Sequence, residues 1–261
     1  MTPTSTFTDL EFFALCRAHK QEYVPPPFVF RSAVATSEEF EELAREKLDG
    51  LRARWDPQWS TMIEALVHHD IRLIIDAWDE DDADRPEGIV RVLAIRRGDR
   101  GYVVCQQPGK TFWHSGDFTV TECAALELAS AAVDMMPEVK PGSRREVVLS
   151  TDEDDDGLDY SYGRSAVRDS FADSMDVNSE EFLKAPTERI GSISVIQGRS
   201  LFGPRGITEH RLRWRDLVDD GRYVIDDRTP PVAVPASARR LTELINTRIA
   251  AVVRAIKDER V

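Results

Sequence analysis

The sequence predicts an α+β protein in which two β-hairpin-plus-helix halves, 1–150 and 151–261, share one sheet. Three observations predict it. The stretches Asp70 to Val133 and Arg189 to Val253 repeat one order of elements: strand, loop, long strand, turn, strand, extended lead-in, amphipathic helix. Each half carries a hairpin turn between β-branched and aromatic residues, Arg97-Gly98-Asp99-Arg100-Gly101 in the first and Asp219-Asp220-Gly221-Arg222 in the second. Both halves close on a helical pattern. Few residues are identical between them, so the echo fits either a duplication or two units of independent origin.

Taken in order, Thr8 and Glu11 stand at capping-box spacing ahead of Leu10, Phe12, Phe13 and Leu15, which predicts a first helix to about Lys20. Pro25-Pro26-Pro27 enforces an extended segment, and Phe28-Val29-Phe30 reads as an edge strand because proline cannot donate to a ladder. A helix over Ser37 to Arg54 places Phe40, Leu43, Ala44, Leu48 and Leu51 on one face. Pro57 suits the first turn of the next helix, ending near His68. Strands follow at Ile71 to Ala77, from Gly88-Ile89 to Ile95, and at Tyr102-Val103-Val104. Thr119 and Glu122 again stand at capping-box spacing, predicting a helix over Cys123 to Met136.

After Pro141-Gly142 a strand is expected at Glu146 to Leu149, then the acidic linker Asp152 to Asp156 divides the halves. Short helices are expected at Ser165 to Met175 and Ser179 to Lys184. A strand beginning at Ile193 and Val195 leads through a Gly/Pro loop to one opened by Gly206-Ile207, with Leu212 and Trp214 at alternate positions, and Tyr223-Val224-Ile225 returns. Ser237 caps a final helix with Leu241, Leu244, Ile245, Ile249, Val252, Val253 and Ile256 at helical spacing.

With 261 residues the chain is long enough to bury a sizeable core. A formal charge of -13 argues against nucleic acid, whose phosphates need clustered Lys and Arg, and against anionic membrane surfaces. No stretch approaches the roughly 20 apolar residues that span a bilayer, so no membrane insertion is expected. Met1 to Thr8 has neither the basic start nor the apolar run of a secretory leader, and the cytoplasm is the expected compartment. Cys16, Cys105 and Cys123 lack paired spacing and read as reduced, apolar-like residues.

Candidate chemistry is sparse. Asp152, Asp154, Asp156 and Gly157 match the first positions of an EF-hand loop, but Gly163 stands where its bidentate Glu is required, so a solvated linker is the better reading. Gly198 and Gly203 have P-loop spacing, yet Pro204 replaces the phosphate-binding Lys. Adjacent His68 and His69 point in different directions on regular structure, and no metal site is expected. A hydrolase or transferase would need a pocket joining His114 or His210 to carboxylates; a small-ligand sensor would use a cleft between the halves. Trp113 and Trp214 read as core or rim packing, whereas Trp78 directly precedes Asp79-Glu80-Asp81-Asp82-Ala83-Asp84, an aromatic anchor rimmed by charge.

The second half resembles the EspG family of type VII (ESX) secretion-associated proteins. Residues Leu201-Phe202-Gly203, Arg211-Leu212-Arg213-Trp214-Arg215, Asp216 to Gly221, Arg222-Tyr223-Val224-Ile225 and Ala236 to Ala255 carry the likeness. In the first half, Leu93 to Val104 is similar to the family's central strands and Phe7 to Phe12 to its first helix. Pro204 and Arg205, and the acidic run Asp152 to Asp156, depart from the pattern. The resemblance implies one compact unit with a quasi-twofold arrangement, a central antiparallel β-sheet and flanking helical bundles. It also implies a cytosolic chaperone, neither enzyme nor cofactor carrier, that binds the hydrophobic tip of the PPE protein in a PE–PPE heterodimer. The family's loop between the second and third strands helps contact that tip. Here that loop gives the partner-binding residues Trp78, Asp79, Glu80, Asp81, Asp82, Asp84, Arg85 and Glu87.

Overall fold

Alternating apolar residues build one antiparallel sheet across both halves. The computed structural model describes residues 4–19, 23–32, 34, 36–149, 170–226 and 228–260. Among these, the strands are β1 (Thr4–Phe7), β2 (Ile71–Trp78), β3 (Val90–Arg97), β4 (Arg100–Pro108), β5 (Ser115–Ala124), β6 (Val147–Val148), β7 (Thr187–Gln197), β8 (Glu209–Leu217), β9 (Gly221–Asp226) and β10 (Val232–Pro235). They form a 10-stranded sheet in the order β1-β5-β4-β3-β2-β7-β8-β9-β10-β6. Outward from the β2–β7 pair, β2-β3-β4-β5-β1 on one side matches β7-β8-β9-β10-β6 on the other, so β6, though it precedes residue 151, joins the strands of the second half. The helices are α1 (Asp9–Ala18), α2 (Ser37–Ala53), α3 (Pro57–Val67), α4 (Leu128–Val133), α5 (Ser170–Leu183) and α6 (Ala238–Asp258).

Strand periodicity decides which helix covers which face. Ile71, Leu73, Ile75 and Ala77 of β2, with Val92, Ala94, Ile193, Val195, Leu212, Trp214 and Val224, pack against α4 and against Leu241, Ile245, Ile249 and Val252 of α6. On the opposite face, Leu93, Ile95, Tyr102, Val104, Phe118 and Val120 meet α1 and α3 through Phe12, Leu15, Met62 and Ile63. Further along that face, Leu217, Tyr223 and Ile225 pack on Phe182 of α5. Between these two helical layers the middle of the sheet lacks a helix among the described residues.

The predicted hairpins form. Arg97 pairs with Arg100, and Gly98 takes φ +61 in the two-residue turn between them. Leu217 pairs with Gly221, with Asp219 in the left-handed region at φ 59. Thr8 and Glu11 exchange the two hydrogen bonds of a capping box, at 3.3 and 2.9 Å, and Ser237 caps α6 through the Arg240 N–H.

Several expectations are corrected. Phe28-Val29-Phe30 is not a strand; the buried Gln106 side chain bonds both backbone groups of Val29, supplying the pairing that the proline-led segment would have sought from a ladder. The edge belongs instead to Thr4–Phe7, paired with β5. Thr119 and Glu122 cap no helix. They lie in β5, where Phe118 and Val120 point into the core and Thr119 and Thr121 suit a pleated surface; the following helix begins only at Leu128. The two short helices expected before β7 are replaced by α5, which runs unbroken through Ser179 from Ser170; the expected start at Ser165 lies outside the described residues. The strand at Glu146 to Leu149 shrinks to Val147–Val148, and the extended lead-in to α6 is the strand Val232–Pro235. The EF-hand-like stretch also falls outside the described residues.

At one end of the sheet the core is closed by charge. Arg189 Nη1 donates to Asp216 Oδ2 at 2.7 Å, and Arg222 donates to the same carboxylate through Nε at 2.7 Å and Nη2 at 2.9 Å. All three residues are buried, and the Arg222 guanidinium also lies 4.6 Å from the Trp214 ring centroid and bonds the Pro137 carbonyl just past α4. Truncating Asp216 strands two desolvated guanidiniums. Asp216→Ala is therefore expected to lower stability by about 3–5 kcal/mol, measured as a fall in the urea midpoint. Removing the exposed Glu243, which pairs with Arg239 on α6, leaves that midpoint nearly unchanged.

Candidate docking surface

The acidic segment after β2 folds because its first residue is a cap. Asp79 is buried, and its Oδ1 accepts from the backbone N–H groups of Asp81 at 3.0 Å and Asp82 at 2.9 Å, while Oδ2 accepts from Arg85 Nη1 at 2.7 Å. Burial raises the Asp79 pKa, but the two backbone N–H groups and Arg85 outweigh it and hold the carboxyl below its usual range. Its ionised form thus stabilises the loop above the ordinary carboxylate range, and that contribution is lost as pH falls through the depressed value. Gly88 closes the loop: a Cβ there would sit 2.5 Å from the Asp79 backbone nitrogen.

Three further anchors come from elsewhere in the chain. Arg215 Nη2 donates to Glu80 Oε2 at 3.0 Å and to Thr187 Oγ1 at 2.7 Å, and its Nη1 reaches the Leu183 carbonyl at 3.0 Å. Arg189 Nη2 donates to the Glu87 carbonyl at 2.8 Å. Asp84 Oδ1 accepts from the Phe112 N–H at 2.6 Å. The loop is therefore held on both sides of the sheet, from β8 on one face and from β7 on the other. Asp81, Asp82, Asp84 and Glu87 remain exposed, and among the described residues none of them is ion-paired.

Beside the loop lies the middle of this sheet face, which none of the described helices covers. Register sets Arg91, Asp76, Ser192 and Arg213 in one row across β3, β2, β7 and β8. Ser192 donates to Asp76 at 2.7 Å; burial raises the Asp76 pKa, opposed by that bond and by Arg211 and Arg91. Burial pulls Arg91 down to about 10, still charged at neutral pH. Ile74, Trp78, Phe112 and Ile196 complete a shallow floor bounded by Pro26, Pro27 and Val29. Such a floor is broad, preformed and mixed in polarity.

Other candidates disperse. His114 bonds the Thr111 hydroxyl at 2.8 Å, and His210 lies in an open depression where Asp226 is already committed to Arg228 and Arg248. Among the described residues no group of three or more His, Cys, Asp or Glu could hold a metal, and no helix is long and apolar enough to cross a membrane. Burial pushes Cys16 up to about 12, and both Cys105 and Cys123 to about 11, far from a reactive thiolate. Leu201 and Phe202, 71% and 74% exposed, occupy the β7–β8 connection at the opposite end of the sheet from the acidic loop.

The EspG family matches residues 8–247 of the sequence. The chain belongs to the EspG family. A search of curated proteins finds no match. Among solved structures, this EspG protein is similar to the Mycobacterium tuberculosis type VII secretion system chaperone EspG5, solved in complex with the PE25–PPE41 dimer. The TM-score is 0.56 at 15% identity, over 98% of this chain and 96% of that one, so the two share a fold.

In this EspG protein the segment from Trp78 to Glu87 does connect the second and third strands, now counted from Thr4–Phe7. Within it, Asp79 and Arg85 are spent on the loop's own closure and Glu80 on β8. Sequence reasoning missed the anchors Arg189 and Arg215 and the contact with Phe112. The signal that could have found Arg215 is the alternation Arg211-Leu212-Arg213-Trp214-Arg215, which sets the guanidiniums on the face opposite Leu212 and Trp214. Because the Glu80 carboxylate is partly solvated, its tether is modest. Glu80→Ala is expected to speed hydrogen–deuterium exchange at the Asp81 and Asp82 amides by about twofold to fivefold, with exchange in β7 unchanged. Unchanged loop protection would mean that the Asp79 cap and the contacts with Arg85, Arg189 and Phe112 fix the loop without Glu80.

Proposed function

We propose that this protein is a cytosolic type VII secretion chaperone without enzymatic activity, which covers the hydrophobic tip of the PPE protein in a PE–PPE heterodimer and keeps it soluble until export. The observation that carries the reading is EspG membership over residues 8–247 together with a likeness along 98% of the chain to a protein solved with its PE–PPE dimer.

The chemistry of the surface supports the reading. A helical client with an apolar end aggregates when that end meets water, and covering it removes the exposed patch. A preformed floor with a fixed loop loses little conformational entropy on binding, which favours capture of a protein surface over a small ligand. Four exposed carboxylates on one loop, none ion-paired among the described residues, add a directional field that speeds encounter with a basic client and repels an acidic one.

Co-expression with a PE–PPE heterodimer is expected to give a soluble ternary complex on gel filtration, with the PPE protein insoluble when this chain is omitted. Reversing Asp81 and Asp82 to Lys is expected to weaken capture while leaving the melting temperature within a few degrees, because both side chains are exposed. Equal loss of folding and binding would make the loop structural instead.

A further inference from the structure

We propose that Trp113 is the anchor of the docking surface, and that the segment it takes is an apolar helix end flanked by Lys or Arg. The inference rests on the chaperone reading and names which part of the client is read.

Trp113 sits at the turn between β4 and β5 with 61% of its surface exposed, whereas Trp59 and Trp214 are buried. The turn beneath it is fixed. The Trp113 N–H donates to Thr111 Oγ1 at 3.3 Å, the His114 N–H to the Thr111 carbonyl at 3.0 Å, and the Thr111 hydroxyl bonds the His114 ring at 2.8 Å. Arg91, itself buried, bonds the Phe112 carbonyl and lies 4.6 Å from the Phe112 ring centroid. Phe112 is thus held from below by Arg91 and from the side by Asp84.

Three rings then run outward edge to face. Phe112 lies 6.4 Å from Trp78 at 87° and 5.1 Å from Trp113 at 81°. The chain begins on β2 at the rim of this floor and ends at the exposed Trp113 ring. A large aromatic on a turn already fixed by hydrogen bonds gives up little freedom when covered, which is the property of an interface anchor.

Charge selects what covers it. Asp84 bridges to the backbone beside Trp113, and Asp81, Asp82 and Glu87 extend the same rim with no ion pair among the described residues; of the cations nearby in sequence, Lys110 is exposed, Arg91 is buried under Phe112 and Arg85 is taken by Asp79. A purely aliphatic partner would desolvate these carboxylates with nothing to neutralise them, and an acidic one would be repelled. An apolar residue for the rings with Lys or Arg beside it satisfies both.

The test uses the full chain and the PE–PPE heterodimer that co-expression yields as a soluble complex with it, with affinity and rate constants measured at low and high salt. Trp113→Ala is expected to weaken binding by about 30-fold or more with an unchanged melting temperature, and Trp113→Phe to retain most of it. Asp81→Asn with Glu87→Gln is expected to slow association and flatten its salt dependence. Changing the Lys or Arg beside the client's apolar tip to Gln should reproduce that loss on the unaltered chain and add nothing to the Asn/Gln variant. Binding by Trp113→Ala within twofold of the parent, or salt-independent association, overturns the inference while the chaperone reading stands. Failure of the unaltered chain to bind any such heterodimer removes both.

Discussion

A single buried carboxylate, Asp216, is shared by Arg189 and Arg222 where β7, β8 and β9 end, and the acidic loop depends on that arrangement. With Asp216 neutralising it, Arg189 keeps a second nitrogen for the Glu87 carbonyl. On the other face of the sheet Arg215, wedged between Thr187 and the end of α5, reaches Glu80. The loop from the first half is thereby positioned by side chains of the second. Buried ion pairs are weak evidence for net stability, since desolvation offsets most of the attraction. Their effect here is geometric: each guanidinium has several fixed acceptors, and satisfying all of them leaves one place for the loop.

That constraint separates the carboxylates into two groups. Asp79 and Glu80 are consumed in holding the loop, the first by capping Asp81 and Asp82, the second by Arg215. Asp81, Asp82, Asp84 and Glu87 are exposed and, among the described residues, not ion-paired. A chain of net charge -13 thus sets exposed carboxylates next to an aromatic array and a stretch of sheet that no described helix covers. Fixed charge beside fixed apolar surface suits recognition of another protein; in the proposed complex the rings would supply affinity and the charges rate and selectivity.

Signals that act over a few residues were legible in the sequence. The hairpin turns at Gly98 and Asp219, the caps at Thr8 and Ser237, and the apolar stripe of α6 all rest on local backbone chemistry, and all form as read. The local reading failed where a pattern had two physical meanings. Thr119 and Glu122 satisfy capping-box spacing, but the same residues alternate with Phe118 and Val120, and pairing to β4 and β1 on both sides settled the strand. Phe28 to Phe30 had strand composition, yet the hydrogen bonds of Val29 went to the Gln106 side chain. Ser179 read as the start of a helix and is buried inside one.

By itself the sequence determined the α+β class, the paired hairpins, the closing helix, the acidic connection between the second and third strands, and the likeness to EspG, because turn chemistry, periodicity and linear motifs are written in neighbouring residues. Only the tertiary structure decided which carboxylates of that connection are free, that Arg189 and Arg215 position it, and that Phe112 and Trp113 stand beside it. These contacts join residues 21 to 135 positions apart. A linear reading carries no information about which distant strands share a row, and register in the sheet supplies it.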